Sequence, residues 1–248
     1  MGEEWASYFC KVNGSLASIF INLGLRDDVP DFSKPWLLWV WVDFQSPRKD
    51  GLSASEEAPT LFQIEDALNS HILGNCRAIP CGRITTEGRR EFYFYGETTD
   101  NFDEAVAAAM AGFRGYKFWP GTKSDPHWKQ YLEVLYPSPE NFQGIKNREV
   151  LEVLQKQGDV HTVEREVRHW VYFTSESSRA LFRAAVAKGG FRIISEAFLS
   201  KEKSFEITLA RNQAVDQESI DSTVFELLRL SQQFDGEYDG WETQATTQ

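Results

Sequence analysis

The 248-residue chain predicts an α+β fold of two ferredoxin-like domains, each a βαββαβ unit with an antiparallel sheet and helices on one face. Three observations carry this expectation. Segments with the alternating period of a strand and segments with the 3.6-residue period of a helix follow one another in the order β-α-β-β-α-β, twice over. Turn and cap residues (Gly, Asn, Asp, Ser, Pro) punctuate nearly every junction. A composition of 42% hydrophobic and 14% aromatic residues suffices to fill two cores.

The first half opens with ASYFCKV and LASIFINL, two strands joined at Asn13-Gly14, a pair suited to a tight hairpin. PWLLWVWVDF alternates, with Leu38, Val40, Val42 and Phe44 on one side and Trp39, Trp41 and Asp43 on the other. Trp36, Trp39 and Trp41 are expected to fill the first core and its seam with the second domain. SEEAPTLFQIEDALNSHIL then places Leu61, Ile64, Leu68 and Ile72 on one helix face, with Gly74 as a stop. CRAIPCGRIT and REFYFYGE flank the turn Glu87-Gly88, and the helix DEAVAAAMAGF starts after Asn101 as its cap. YKFWPG and WKQYLEVLY read as strands. The first domain is thus expected over residues 1–137.

Ser138-Pro139-Glu140 is a helix start, and residues 138–157 are expected to form a helical linker ending at Gly158-Asp159. The second domain, 158–248, repeats the pattern. VEREVRHWVYF is a strand, and SSRALFRAAVAKGG a helix that starts at Thr174/Ser175 and stops at a double glycine. FRIISEAFL and SFEITLARN form a hairpin around residues 200–203. DQESIDSTVFELLRLSQQF is a helix capped near Asp216, and EYDGWE closes the sheet.

With 26 Lys+Arg against 37 Asp+Glu the net charge is −11, which excludes a basic field for binding nucleic acid phosphates and suits a basic protein partner. No apolar run nears the roughly 20 residues that span a bilayer, and WLLWVWV is too short. MGEEWASYFC lacks the basic and apolar regions of a secretory signal. Three cysteines without zinc spacing read as reduced thiols, which places the chain in the cytoplasm, and no cofactor is expected.

In a sheet of order 4-1-3-2 the last strand lies beside the first. That puts Glu237, Tyr238, Asp239 and Trp241 against Arg168, His169 and Trp170, and Asp239-Gly240 suggests a bulge that re-aims Trp241. One reading is a structural sheet edge, in which Arg168 meets an acid, His169 is a satisfied core histidine and the tryptophans complete the core. A second is a protein-recognition surface made of these seven residues. A third is an enzyme or metal site built from His169, Glu237 and Asp239. A fourth is self-association into a homodimer through an open sheet face. No nucleophile elbow, P-loop, HExxH or GxGxxG accompanies them, and the chain is expected not to be an enzyme.

REVRHWVYFTSESSRALFRAAVAKGGFRI, the long last helix and QQFDGEYDGWET resemble the RraB family, regulators of ribonuclease E activity, over about residues 157–248. The E-Y-D-G-W string carries most of the likeness. The first half, through PWLLWVWVDF, DGLSASEE and GRITTEGRREFYFYGE, is similar to a domain family of unknown function found fused to RraB-like domains. The resemblance implies a non-catalytic regulator that binds the basic scaffold region of a ribonuclease, with Tyr238 and Trp241 as anchors.

Overall fold

The structure is a computed structural model that describes residues 3–247; Met1, Gly2 and Gln248, the outermost residues of the expected domain spans, lie outside the described residues. The chain divides into two compact units, one reaching to Asn141 and the other starting at Phe142.

The first unit begins with a hairpin, β1 (Trp5–Val12) and β2 (Ser15–Asn22). Asn13 and Gly14 take φ of 51° and 87°, the paired left-handed geometry whose twist matches the flanking strands, and Val12 pairs with Ser15. β3 (Trp36–Asp43), α1 (Ala58–Asn75), β4 (Ile79–Thr86), β5 (Arg89–Gly96), α2 (Phe102–Met110) and β6 (Phe118–Ser124) follow. The sheet order is β1-β2-β4-β5-β3-β6, antiparallel at every pairing. Its last four positions are the expected 4-1-3-2 sheet, and the hairpin extends the β4 edge. Leu61, Ile64, Leu68 and Ile72 of α1 pack with Val106 and Met110 of α2 on Leu38, Val40, Val42, Phe92 and Phe94. Helix periodicity meets strand alternation there, while β5 is buried on both faces, since Tyr95 on its far side stacks on Trp128.

Several local expectations need correction. WKQYLEVLY does not form a strand: Gln130–Leu135 is a π-helix, and Trp128, Tyr131 and Leu135 are fully buried at spacings of three and four residues, a helical pattern. Asp125 starts this turn, its carboxylate accepting the Lys129 and Gln130 amides at 3.1 Å and the Tyr95 hydroxyl at 2.6 Å. Aromatic content suggested a strand, but the acid that captures two free amides decides for a helix. α1 runs through Gly74, expected as its stop, and the chain turns at Arg77 (φ 45°) instead. Asn101 does precede α2, but its side chain makes no cap hydrogen bond. Of the three tryptophans on β3, only Trp36 packs against the helix-side core. Trp41 lies on the opposite face beneath the Arg89 guanidinium, and Trp39 lies there over Gly121, where an added Cβ would sit 2.3 Å from the indole.

The second unit takes in α3 (Pro139–Lys156), β7 (Arg165–Phe173), α4 (Glu176–Val186), β8 (Arg192–Leu199), β9 (Ser204–Gln213), α5 (Gln217–Gln233) and β10 (Gly236–Thr243). Ser138 Oγ accepts the Asn141 amide, Ser175 Oγ that of Ser178, and Asp216 Oδ1 that of Ser219, as the cap residues in the sequence predict. The sheet order is β10-β7-β9-β8, again 4-1-3-2 and antiparallel, with the other helices on one face. Leu151 and Leu154 of α3 join Phe182, Val186, Ile220, Val224 and Leu227 over Val167, Val171, Ile207 and Leu209. No helix among the described residues is long and apolar enough to cross a membrane.

Candidate functional site

β7 alternates as its sequence predicts. Val167, His169, Val171 and Phe173 are buried towards the helices of this unit, while Arg168, Trp170 and Tyr172 point to the face away from them. β10 pairs with it antiparallel: Glu237 opposite Tyr172, Tyr238 opposite Val171, Gly240 opposite Trp170, Trp241 opposite His169 and Glu242 opposite Arg168. The register slips between Tyr238 and Gly240, so Asp239 is the extra residue of the bulge expected at Asp-Gly. Without it Tyr238 and Trp241, three residues apart, would point to opposite faces. With it both face the helices.

That single residue divides the seven candidates. His169, Tyr238 and Trp241 belong to the covered face. The Tyr238 hydroxyl lies 3.0 Å from His169 Nδ1, and the Trp241 indole donates to Asn147 Oδ1 on α3 at 2.8 Å. Asn147, 1% exposed, in turn donates to Asp221 Oδ1 on α5 at 2.7 Å. Burial, and then the Arg211 charge, holds His169 down at about 3, so the imidazole is neutral. Burial, with the Asp239 charge behind it, raises the Tyr238 phenol, which stays protonated. Trp241 therefore ties β10 to two helices.

Arg168, Trp170, Glu237 and Asp239 belong to the open face, where Trp170 stands opposite Thr208 and Arg168 opposite Ala210 on β9, both of them buried. Gly240 opposite Trp170 has no atom within 4 Å of where a Cβ would stand, which leaves the flank of the indole open. Tyr172 stands beside Trp170 on this face, paired in register with Glu206 and Glu237. Burial and then the Glu206 and Asp239 charges push its phenol up. Arg168 and Arg192 both bind Glu166, whose carboxyl their hydrogen bonds hold low. With both arginines tied to Glu166, the carboxylates of Glu206, Glu237, Asp239 and Glu242 surround the two rings.

His169, Glu237 and Asp239 do not form an acid–base or metal group. The histidine is fully buried on one side of the sheet while both acids are exposed on the other, since the alternation of the pleat separates them. Among the described residues no group of three His, Cys, Asp or Glu could hold a metal. Tyr172, Glu206 and Glu242 join this face beyond the seven residues that the sequence singles out. The alternation RHWVYF points to Tyr172, but Glu206 requires the β7–β9 register, which no local signal gives.

Residues 3–136 match the family model DUF695, described as a family of unknown function, and residues 144–243 match the model RraB, regulator of ribonuclease activity B. No curated protein matches the sequence. Among solved structures, the chain is 13% identical to an unknown protein from Galdieria sulphuraria, over 83% of this chain and 96% of that one, with a TM-score of 0.21. It is 8% identical to a hypothetical protein, over 96% and 97% of the two chains, with a TM-score of 0.22. Such scores carry no weight for fold or function.

Proposed function

The chain belongs to the DUF695 family through residues 3–136 and carries an RraB domain behind it, and on that basis we propose that it is a non-catalytic regulatory protein that binds and restrains a ribonuclease E-type endonuclease. One observation carries the choice of surface: Trp170 and Tyr172 lie side by side on the sheet face away from this unit's helices, with Glu206, Glu237, Asp239 and Glu242 about them. Tryptophan and tyrosine are the usual anchors of protein interfaces, because they give large contact area for little lost side-chain freedom. The surrounding carboxylates favour a basic partner, such as a scaffold region rich in arginine and lysine, and disfavour the phosphates of RNA. Trp170, Tyr172, Glu237 and Asp239 are the contact residues in this reading. Tyr238 and Trp241 support them from the far side of the sheet.

Calorimetric titration of the whole protein into the basic scaffold region of a ribonuclease E from the same organism tests this reading. Saturable binding is expected, weakened about tenfold or more by Trp170→Ala, the usual scale for an interface anchor. Absence of binding between two folded proteins overturns the ribonuclease reading. Binding that Trp170→Ala leaves unchanged overturns the choice of face.

A further inference from the structure

The first unit carries an unfilled cleft of its own. Its sheet has six strands, but only α1 and α2 lie on the helix side. Two helices about 10 Å across cover about four strands at ~4.8 Å spacing, so the β1–β2 hairpin extends past them. On that uncovered stretch β1 and β2 present Trp5 and Phe20, whose rings stack at 4.9 Å and 14°. One flank of α1 forms the opposite wall, because Glu65, Asp66 and Asn69 lie along its edge at helical spacing. Between them runs a cleft of about 400 Å³, with Glu3 at its mouth.

Beside the cleft the chain supplies a cation of its own, held by two of the lining residues. The Arg83 guanidinium lies 4.2 Å from the centre of the Phe20 ring and binds both oxygens of Glu65. Guanidinium is suited to this because it is planar, forks onto a carboxylate and stacks on an aromatic face. Glu3 and Asp66 remain exposed on the cleft with no cation paired to either among the described residues, and Trp5 is only half-buried beside Phe20. An aromatic face, two carboxylates and the Asn69 amide therefore repeat, unfilled, the chemistry that Arg83 satisfies next door.

We propose that this cleft is a docking site for an arginine side chain of a basic, extended segment of a partner protein, with the guanidinium stacked on Trp5 and paired to Asp66 and Glu3. The charge of the chain points the same way, since a net −11 attracts such a segment before contact is made. The site is separate from the Trp170 face and stands whether or not that face binds a ribonuclease.

Calorimetry on the whole protein with the acetylated, amidated peptide GSRGRSG as probe tests the proposal. Saturable binding is expected, weakened about tenfold by Asp66→Asn and by Trp5→Leu, in line with one charged contact and one stacked cation. Trp170→Ala should leave it unchanged, and the same peptide with lysine for arginine should bind several-fold more weakly. Asp66 is exposed on α1, so Asp66→Asn remains decisive even if Trp5→Leu disturbs the hairpin. No saturable binding, or equal binding to wild type and Asp66→Asn, overturns the proposal. So does spermidine binding as tightly as the peptide, which would mark a general attraction for cations.

Discussion

The hydroxyl of Tyr238 and Nδ1 of His169 meet at 3.0 Å, between neighbouring strands, inside the core of the second unit. Nε2 of the same ring has no hydrogen-bond partner among the described residues. The histidine is neutral because burial opposes its charged form, and Arg211 adds to that opposition. A group whose folded value lies near 3, below the unfolded value of about 6.5, stabilises the fold fully above ~6.5 and progressively less as pH falls from there towards 3. The stability difference between wild type and His169→Gln should therefore shrink by about 1.4 kcal/mol per pH unit below pH ~6. Urea unfolding of the pair at about pH 7, 5.5 and 4.5 measures this, and a difference independent of pH would contradict a buried neutral imidazole.

Trp241 and Trp170 should behave oppositely, although they are near neighbours in the sheet. Trp241→Phe keeps an aromatic ring but removes the indole N–H and strands the Asn147 side-chain oxygen, at a cost of about 1–2 kcal/mol in the second unit's unfolding from that bond. Trp170→Ala should change thermal stability less than it changes partner binding. Equal destabilisation by both would mean that Trp170 serves the core.

Asp125 is the predicted weak point of the first unit. Asp125→Ala removes acceptors for Lys129, Gln130 and the Tyr95 hydroxyl together, with an expected loss of about 2–4 kcal/mol. Hydrogen exchange localises the effect: amides from Lys129 to Tyr136 should lose protection first, while those of β7 and β9 stay unchanged. Uniform loss across both units would contradict it.

The span of the second domain is testable by truncation. Residues 138–248 should give a cooperative unfolding transition, because α3 brings Leu151, Leu154 and Asn147 with it. A fragment starting at residue 158 lacks all three and should unfold at least about 3 kcal/mol more easily, the scale of losing two buried leucines. Equal stability of the two fragments would make α3 a linker only.

Much of the architecture was legible in the chain. Both βαββαβ orders, the Asn13-Gly14 hairpin, the caps at Ser138, Ser175 and Asp216 and the bulge at Asp239-Gly240 follow from residues close in sequence. Each is a local decision about backbone geometry or about a free amide, so a few residues carry the signal. The segment 128–136 misled because aromatic residues suit strands and buried helix faces equally. Its spacing and Asp125 were the clues that counted.

Composition, period and punctuation thus determined that this chain makes two ferredoxin-like units, and the RHWVYF and EYDGW strings marked two strands that pair in the second of them. Only the tertiary structure decided which side of the sheet each of those residues serves. One extra residue in β10 turns Trp241 inward to Asn147 and leaves Trp170 outward among acids from two strands, β9 and β10. The cleft beside α1 is likewise a tertiary fact, since it exists because six strands are wider than two helices. Register and coverage depend on contacts between residues distant in sequence, and no local pattern encodes them.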